Sequence, residues 1–111
     1  MHIQRLVQVE KTNHINIYGD SMNPTFKAGD KVAVQQIFNF DALQWGEAHL
    51  IITNSEANNM RTVKNVHYYE GDDTKIILRS CNPDYFGDTV IPKSSILSMH
   101  IIKASLRILN Y

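Results

Sequence analysis

The sequence has few of the features that mark secreted, membrane-bound or metal-binding proteins. Cys81 is the only cysteine among 111 residues, so the chain can form no intrachain disulfide bond and no thiolate metal site. The longest apolar runs, such as residues 50–52, are far shorter than a membrane span, and the N-terminal "MHIQRLVQVEK" lacks the apolar core of a signal peptide. We therefore expect a cytoplasmic protein with no membrane attachment, no metal and no cofactor.

An excess of charge of one sign is also lacking. The 11 Lys and Arg residues balance the 11 Asp and Glu residues. Proteins that bind DNA through its phosphates normally carry a basic excess or stripe, so we do not expect this segment to bind nucleic acid directly. The length and the 43% apolar content predict one folded domain. We assign residues 1–14 to an N-terminal arm or linker remnant and residues 15–111 to the domain.

Short strand-like runs separated by turn residues make up most of the chain. The predicted strands cover residues 15–18, 31–37, 48–53, 60–69, 74–80, 89–92 and 101–109. Residues 60–69 and 74–80 are expected to form a hairpin, and residues 39–46 a turn or a short helical piece. No segment has the pattern of a long amphipathic helix, which predicts an all-β domain of short strands.

The last predicted strand alternates apolar and polar residues. Ile102, Ala104, Leu106 and Ile108 fall on one face, with polar residues on the other. This pattern predicts a half-buried strand that can also serve as an interface.

The stretch "YGDSMNPTFKAGDKV", residues 18–32, places Ser21 among residues that favour turns. An ordinary surface turn is therefore one interpretation of Ser21. Met22 and Phe26, however, are apolar residues in a polar loop, and by packing onto the body of the domain they can hold Ser21 in a fixed orientation. Backbone amides near Ser21 can then stabilise an oxyanion, so Ser21 is a candidate nucleophile that requires a base.

Lys64 is the candidate base. Alternation in "RTVKNV" sets it on one strand face with Thr62, Val66 and Tyr68. If that face points inward, burial lowers the lysine pKa from about 10.4, and the neutral amine can accept a proton from a serine hydroxyl. If the face points to solvent, Lys64 is an ordinary surface residue, and the pattern alone leaves both readings open.

The remaining polar and aromatic residues give weaker signals. No pair of histidines has metal-ligand spacing, and none is an evident base, although a triad assembled from distant residues is compatible with the sequence. They are His2, His14, His49, His67 and His100. We interpret six aspartates beside Gly or Asn as turn formers: Asp20, Asp30, Asp72, Asp73, Asp84 and Asp88. Trp45 and the pair Tyr85 and Phe86 can form a peptide-binding rim, but packing roles are the simpler interpretation.

Four motifs, in order, resemble those of the LexA-type serine peptidases, the family of LexA, UmuD and the C-terminal domains of lambdoid phage repressors. "GDSMNPTFKAGDKVAV" resembles the nucleophile segment, "WGEAHLIIT" the strand after the family's Gly-Asp/Glu turn, and "MRTVKNV" the lysine strand. "KIILRSCNPDY" resembles the phage-type segment Leu-x-Ser-x-Asn-Pro-x-Tyr. The resemblance covers residues 15–109. One departure is Asn65, which stands where many members have a basic residue after the lysine.

The resemblance implies a Ser-Lys dyad in a compact, strongly bent β-fold. Ser21 is the implied nucleophile, Lys64 the implied general base, and backbone amides at Ser21 and Met22 the implied oxyanion hole. Family members cleave one Ala-Gly or Cys-Gly bond in their own linker, stimulated by the RecA–DNA filament during DNA damage. Cleavage separates a helix-turn-helix DNA-binding domain from the dimerising part.

We therefore expect the self-cleaving C-terminal peptidase and dimerisation domain of a LexA/phage-repressor-like regulator. It is expected to form a homodimer through its C-terminal strand, to respond to the RecA–DNA filament, and to contact DNA only through a domain not present in this chain. No DNA-binding domain precedes residue 15, and the only Ala-Gly pair, Ala28-Gly29, lies inside the nucleophile motif.

Three alternatives stay open. An idle dimerisation module of a repressor and a UmuD-like accessory protein both fit the motifs. A signal-peptidase-like enzyme shares the dyad and the string Ser-Met-x-Pro-Thr, here "SMNPT", but requires a membrane anchor.

Overall fold

A curled antiparallel sheet of seven strands forms the fold of the computed structural model, which describes residues 12–17, 19 and 21–107. The strands are β1 (Thr12–Asn16), β2 (Lys31–Ile37), β3 (Ala48–Thr53), β4 (Arg61–Tyr68), β5 (Lys75–Arg79), β6 (Thr89–Pro92) and β7 (Ile96–Leu106). Two short 3-10 turns, Ser55–Ala57 and Lys93–Ser95, precede β4 and β7. The predicted all-β class is confirmed.

The order of strands across the sheet is β1-β2-β7-β3-β4-β5-β6. The last strand, β7, thus lies at the centre and joins β2 on one side to β3 on the other. Its neighbour β3 is also central, and Leu50 and Ile51 are both buried although they point to opposite faces. This burial on both faces explains why β3 reads as a continuous apolar run instead of an alternating one.

The buried side chains form two clusters. The larger one packs β3, β4, β5 and β7 together around Ile51, Val66, Ile76 and Met99. The smaller cluster lies by β1 and β2 and contains Ile17, Met22, Phe26, Val32 and Val34. The smaller cluster matters for function because it includes side chains from the segment around Ser21.

Several predicted elements are confirmed, and others are displaced. β2, β3 and β6 have the predicted bounds, and β4 and β5 form the predicted antiparallel hairpin. β1 begins three residues before the predicted start at residue 15, and β7 begins five residues before residue 101. Residues 39–46 contain turns without a helical piece. Residues 1–11 of the predicted arm lie outside the described residues.

The second half of β7 differs from the half-buried strand that we predicted. Ala104 and Leu106 are exposed, Leu106 to 61%. The reason is that the β3 ladder ends at Ile101, so that, among the strands that the structure describes, only β2 pairs with the residues beyond it. A bulge that makes Lys103 the extra residue between two β2 pairings also shifts the alternation. Ile108 lies outside the described residues.

Within residues 12–17, 19 and 21–107, no helix has the length and apolar character required to cross a membrane.

Candidate active site

Apolar anchors hold the segment around Ser21 against the sheet. Met22 and Phe26 are only 3% and 7% exposed and pack in the smaller core cluster beside Val32 and Val34. The Phe26 amide donates to the Met22 carbonyl over 2.8 Å, which closes the turn between the two anchors. Ser21, next to a buried anchor, is itself half-buried. The expectation that these two residues pack the segment onto the body is confirmed.

Asp30 ties down the other end of this segment. Its carboxylate accepts the Lys27 amide at 2.8 Å and two hydrogen bonds from the Arg107 guanidinium, both at 2.9 Å. Its backbone carbonyl accepts the Ile17 amide at 2.7 Å. The Arg107 hydrogen bonds, followed by the Lys27 amide, lower the pKa of Asp30 from 3.8 to about 2. Asp30 was interpreted only as a turn former, and the distant Arg107 is the partner that sequence reasoning missed.

The Ala28-Gly29 pair lies in the turn that leads into Asp30. Gly29 has φ of +92°, a conformation that favours glycine, and its amide donates to the Ile17 carbonyl at 2.9 Å. This Ala-Gly bond is therefore part of the turn that supports the nucleophile segment.

Lys64 and Ser21 lie in direct contact. The Lys64 ammonium donates a hydrogen bond to Ser21 Oγ, with Nζ and Oγ 2.7 Å apart. Lys64 projects from β4 and is half-buried, and this burial lowers its pKa below the ordinary 10.5. A lysine with a lowered pKa is more often neutral near physiological pH, and the neutral amine can accept the proton that the Ser21 hydroxyl then donates to it.

The segment after β5 holds the backbone of the nucleophile segment. The Asn82 amide donates to the Ser21 carbonyl at 3.0 Å, and the Cys81 thiol lies 2.8 Å from the Met22 carbonyl oxygen. Because a peptide group is planar, fixing the Ser21 carbonyl also fixes the Met22 N–H, which points the opposite way. The motif "SCNPDY" thus supports the backbone at Ser21, a role that the motif alone did not reveal.

The amides of Ser21 and Met22 donate no hydrogen bond to any residue in the described ranges. Both are the predicted oxyanion donors. Ser21 and Met22 also line a cleft of about 120 Å³, which we call the nucleophile cleft. Residues 15–17 at the end of β1 and residues 61–63 at the start of β4 line it as well, together with Gly19 and Leu50.

Among the histidines that the structure describes, His49 lies directly opposite Lys64 in the pairing of β3 with β4. His49 is fully buried in β3, and its Nδ1–H donates to the Glu47 carbonyl at 2.8 Å. Burial lowers the pKa of His49, which favours the neutral ring. Trp45 packs edge-on against Tyr68, with ring centroids 5.4 Å apart. Of the histidines that the structure describes, none hydrogen-bonds to Ser21.

A serine hydroxyl in contact with a half-buried lysine amine, on an all-β scaffold, is an arrangement that some serine peptidases use in place of serine and histidine. The family model described as Peptidase S24-like matches residues 3–104. The chain therefore belongs to the Peptidase S24-like family, the LexA, UmuD and phage-repressor C-terminal family, and the predicted resemblance is confirmed. It is a family of serine peptidases whose members are known to dimerise. No curated protein matches the chain.

Proposed function

We propose that this chain is the Ser-Lys peptidase domain of a LexA/phage-repressor-like transcriptional regulator, and that it cleaves one peptide bond in the regulator's own linker in response to DNA damage. The observation that carries the proposal is the 2.7 Å contact between Lys64 Nζ and Ser21 Oγ. Ser21 is the proposed nucleophile and Lys64 the proposed general base.

In the first chemical step, the neutral Lys64 amine takes the Ser21 hydroxyl proton while Oγ attacks the scissile carbonyl carbon. The charge that develops on the carbonyl oxygen is stabilised by the backbone amides of Ser21 and Met22. The hydrogen bond from Asn82 to the Ser21 carbonyl supports this role, since it fixes the peptide plane that carries the Met22 N–H.

In the second half of the reaction, the protonated Lys64 gives its proton to the leaving amine, and the acyl group remains on Ser21. Water then attacks this ester with Lys64 again as the base, which releases the second product and restores the hydroxyl. Burial of Lys64 favours both steps because it lowers the cost of the neutral amine that starts each of them.

Two observations support the regulatory part of the proposal. Members of the family are known to dimerise, and the end of β7 is exposed. Within the described part of the chain, Ile102 and residues 104–106 have strand partners only in β2, and Leu106 is 61% exposed. We propose that this end of β7 is the homodimer interface and that the protein works in the cytoplasm. The RecA–DNA filament is the proposed co-activator, and DNA is contacted only through a helix-turn-helix domain not present in this chain.

Intact-mass spectrometry of the complete gene product tests the proposal. The wild type, Ser21→Ala and Lys64→Ala are incubated at neutral and alkaline pH, with and without a RecA–DNA filament. Ser55→Ala and Lys75→Ala change exposed residues of the same types and serve as controls. We expect a single cut in the wild type and both controls, and none in the two dyad variants. Cleavage that survives Ser21→Ala would contradict the proposal.

A second candidate is a dimerisation module whose peptidase is idle. It is favoured by the exposed end of β7. The same experiment separates the two, since an idle module stays uncut even with the filament while it still dimerises. A UmuD-like accessory protein would be cut without releasing a DNA-binding domain. A signal-peptidase-like enzyme would require an apolar anchor in the complete reading frame.

A further inference from the structure

The start of β4 has an open edge beside the nucleophile cleft. β4 pairs with β3 from Arg61 to Asn65, whereas its pairing with β5 begins only at Asn65. On the side opposite β3, residues 61–64 therefore have no strand partner among the described residues. Three of them, residues 61–63, line the nucleophile cleft.

The register identifies the backbone groups that this edge presents. The Met60 carbonyl accepts the amide of Thr53 in β3, and the Val66 amide donates to the carbonyl of Glu47, the residue directly before β3. Because the bonded groups alternate along an antiparallel strand, Arg61 and Val63 direct their N–H and C=O groups away from β3. An extended peptide that lies along the open edge meets these groups as an added strand would.

Arg61 also gives the nucleophile cleft its charge. Among the described residues that line the cleft, Arg61 is the only charged one. Its side chain is exposed, and its guanidinium makes no ion pair or hydrogen bond with any residue that the structure describes. Its positive charge contributes, after burial, to the lowered pKa of His100.

We infer that Arg61 is a specificity-determining residue that selects an acidic side chain in the peptide segment bound along the open edge of β4. A guanidinium can bind a carboxylate through two parallel hydrogen bonds, which a neutral amide side chain does not match. Arg61 and Val63 share a face of the strand, and Leu50 lies opposite Val63. The acidic residue that Arg61 selects therefore lies two positions along the peptide from a residue whose side chain packs against Val63 and Leu50.

This inference rests on the proposed peptidase function, and the experiment measures cleavage and binding separately. The probes are synthetic peptides with a central Ala-Gly bond, made as pairs that carry Glu or Gln at each flanking position in turn. kcat/KM is measured for the wild-type chain, Arg61→Gln and Arg61→Glu. Lys75→Gln, which removes an exposed cation from β5, is the control. Binding of the same pairs to the Ser21→Ala chain, with and without Arg61→Gln, is measured by fluorescence anisotropy.

We expect the wild type to prefer Glu over Gln at one position by about three- to fivefold, a preference that falls as salt rises. Arg61→Gln removes the preference, Arg61→Glu reverses it so that Gln is preferred over Glu, and Lys75→Gln leaves it unchanged. For each protein the rate with the Glu peptide is divided by the rate with its Gln partner, so that a general loss of activity cancels and only selection is compared.

The inference is overturned if no position shows a Glu preference in binding or cleavage, if neither peptide of any pair binds, or if the preference survives Arg61→Gln. A chain that binds Glu peptides better through Arg61 but cleaves nothing would contradict the proposed peptidase and still support the role of Arg61.

Discussion

Ser21 Oγ and Lys64 Nζ lie 2.7 Å apart although 43 residues separate them in the sequence. Ser21 belongs to the turn between β1 and β2, and Lys64 belongs to β4, on the other side of the central strands. The contact therefore depends on the curl of the whole sheet and on the anchors that hold each residue. Four predictions follow from this geometry.

Cleavage should rise with pH in proportion to the neutral fraction of Lys64. Since burial lowers the pKa of Lys64 below 10.5, the rate should level off at a pH below that value. Lys64→Arg should be inactive at every pH, because a guanidinium does not deprotonate in this range. Initial rates of self-cleavage between about pH 6 and 10 measure the profile. A flat profile in the wild type, or an active arginine variant, would argue against a lysine base.

Lys64→Met should raise the melting temperature at pH 7 while it abolishes cleavage. The folded-state pKa of Lys64 lies below its unfolded value, so the unfolded chain binds the proton more tightly and the protonated lysine weighs against folding. This destabilisation by the protonated lysine disappears as the pH rises through the folded-state pKa of Lys64 towards 10.5. Thermal unfolding at pH 7 and at a pH near 10.5 measures it, and Lys75→Met, at an exposed position, should show no such change. A lower melting temperature for Lys64→Met at pH 7 would contradict the interpretation.

Asp30→Asn should lower the melting temperature at neutral pH and slow cleavage, because it removes the ion pair that ties the nucleophile segment to Arg107. The Arg107 hydrogen bonds lower the pKa of Asp30 from 3.8 to about 2. The stabilisation that comes with the lowered pKa of Asp30 is complete above pH 3.8 and is lost as the pH falls towards about 2. The difference between the wild type and Asp30→Asn should therefore shrink between pH 5 and pH 2. Asp73→Asn, at an exposed position, is the control, and equal effects of both variants would contradict the prediction.

Met22→Ala should destabilise the fold by about 2–4 kcal/mol, since it empties a buried site in the smaller core cluster. Urea unfolding gives the free energy, and Leu97→Ala, at a residue that is 65% exposed, should cost far less. Met22→Leu keeps the volume and should retain both stability and cleavage. If Met22→Ala left the stability unchanged, Met22 could not be an anchor for Ser21.

The sequence allowed the strands with clear turn boundaries to be predicted. β2, β3 and β6 were bounded correctly because apolar or β-branched runs stand there between turn residues. β7 was predicted to start too late, since Ser98 and His100 interrupt its apolar pattern and its pairing partners, β2 and β3, are distant in sequence. Pairing over such distances leaves no local signal.

For the site, the sequence identified Ser21 and Lys64 as candidates but could not show that they meet. The number of residues between two positions in the sequence does not show whether a turn contacts a strand when other strands lie between them in the sheet. The same holds for the ion pair of Asp30 with Arg107 and for the bond from Asn82 to the Ser21 carbonyl. Arg61 gave no signal at all, because its role depends on an edge of β4 that only the pairing of strands defines.

Covalent labelling of Ser21 tests the central claim most directly, because it requires no knowledge of the substrate. The wild-type chain, Ser21→Ala, Lys64→Ala and the control Ser55→Ala are treated with diisopropyl fluorophosphate at several pH values and followed by intact-mass spectrometry and peptide mapping. An activated Ser-Lys pair predicts one adduct on Ser21, formed faster as pH rises, absent in Ser21→Ala, strongly slowed in Lys64→Ala and unchanged in Ser55→Ala. No adduct on Ser21, or equal labelling rates in the wild type and Lys64→Ala, would contradict it.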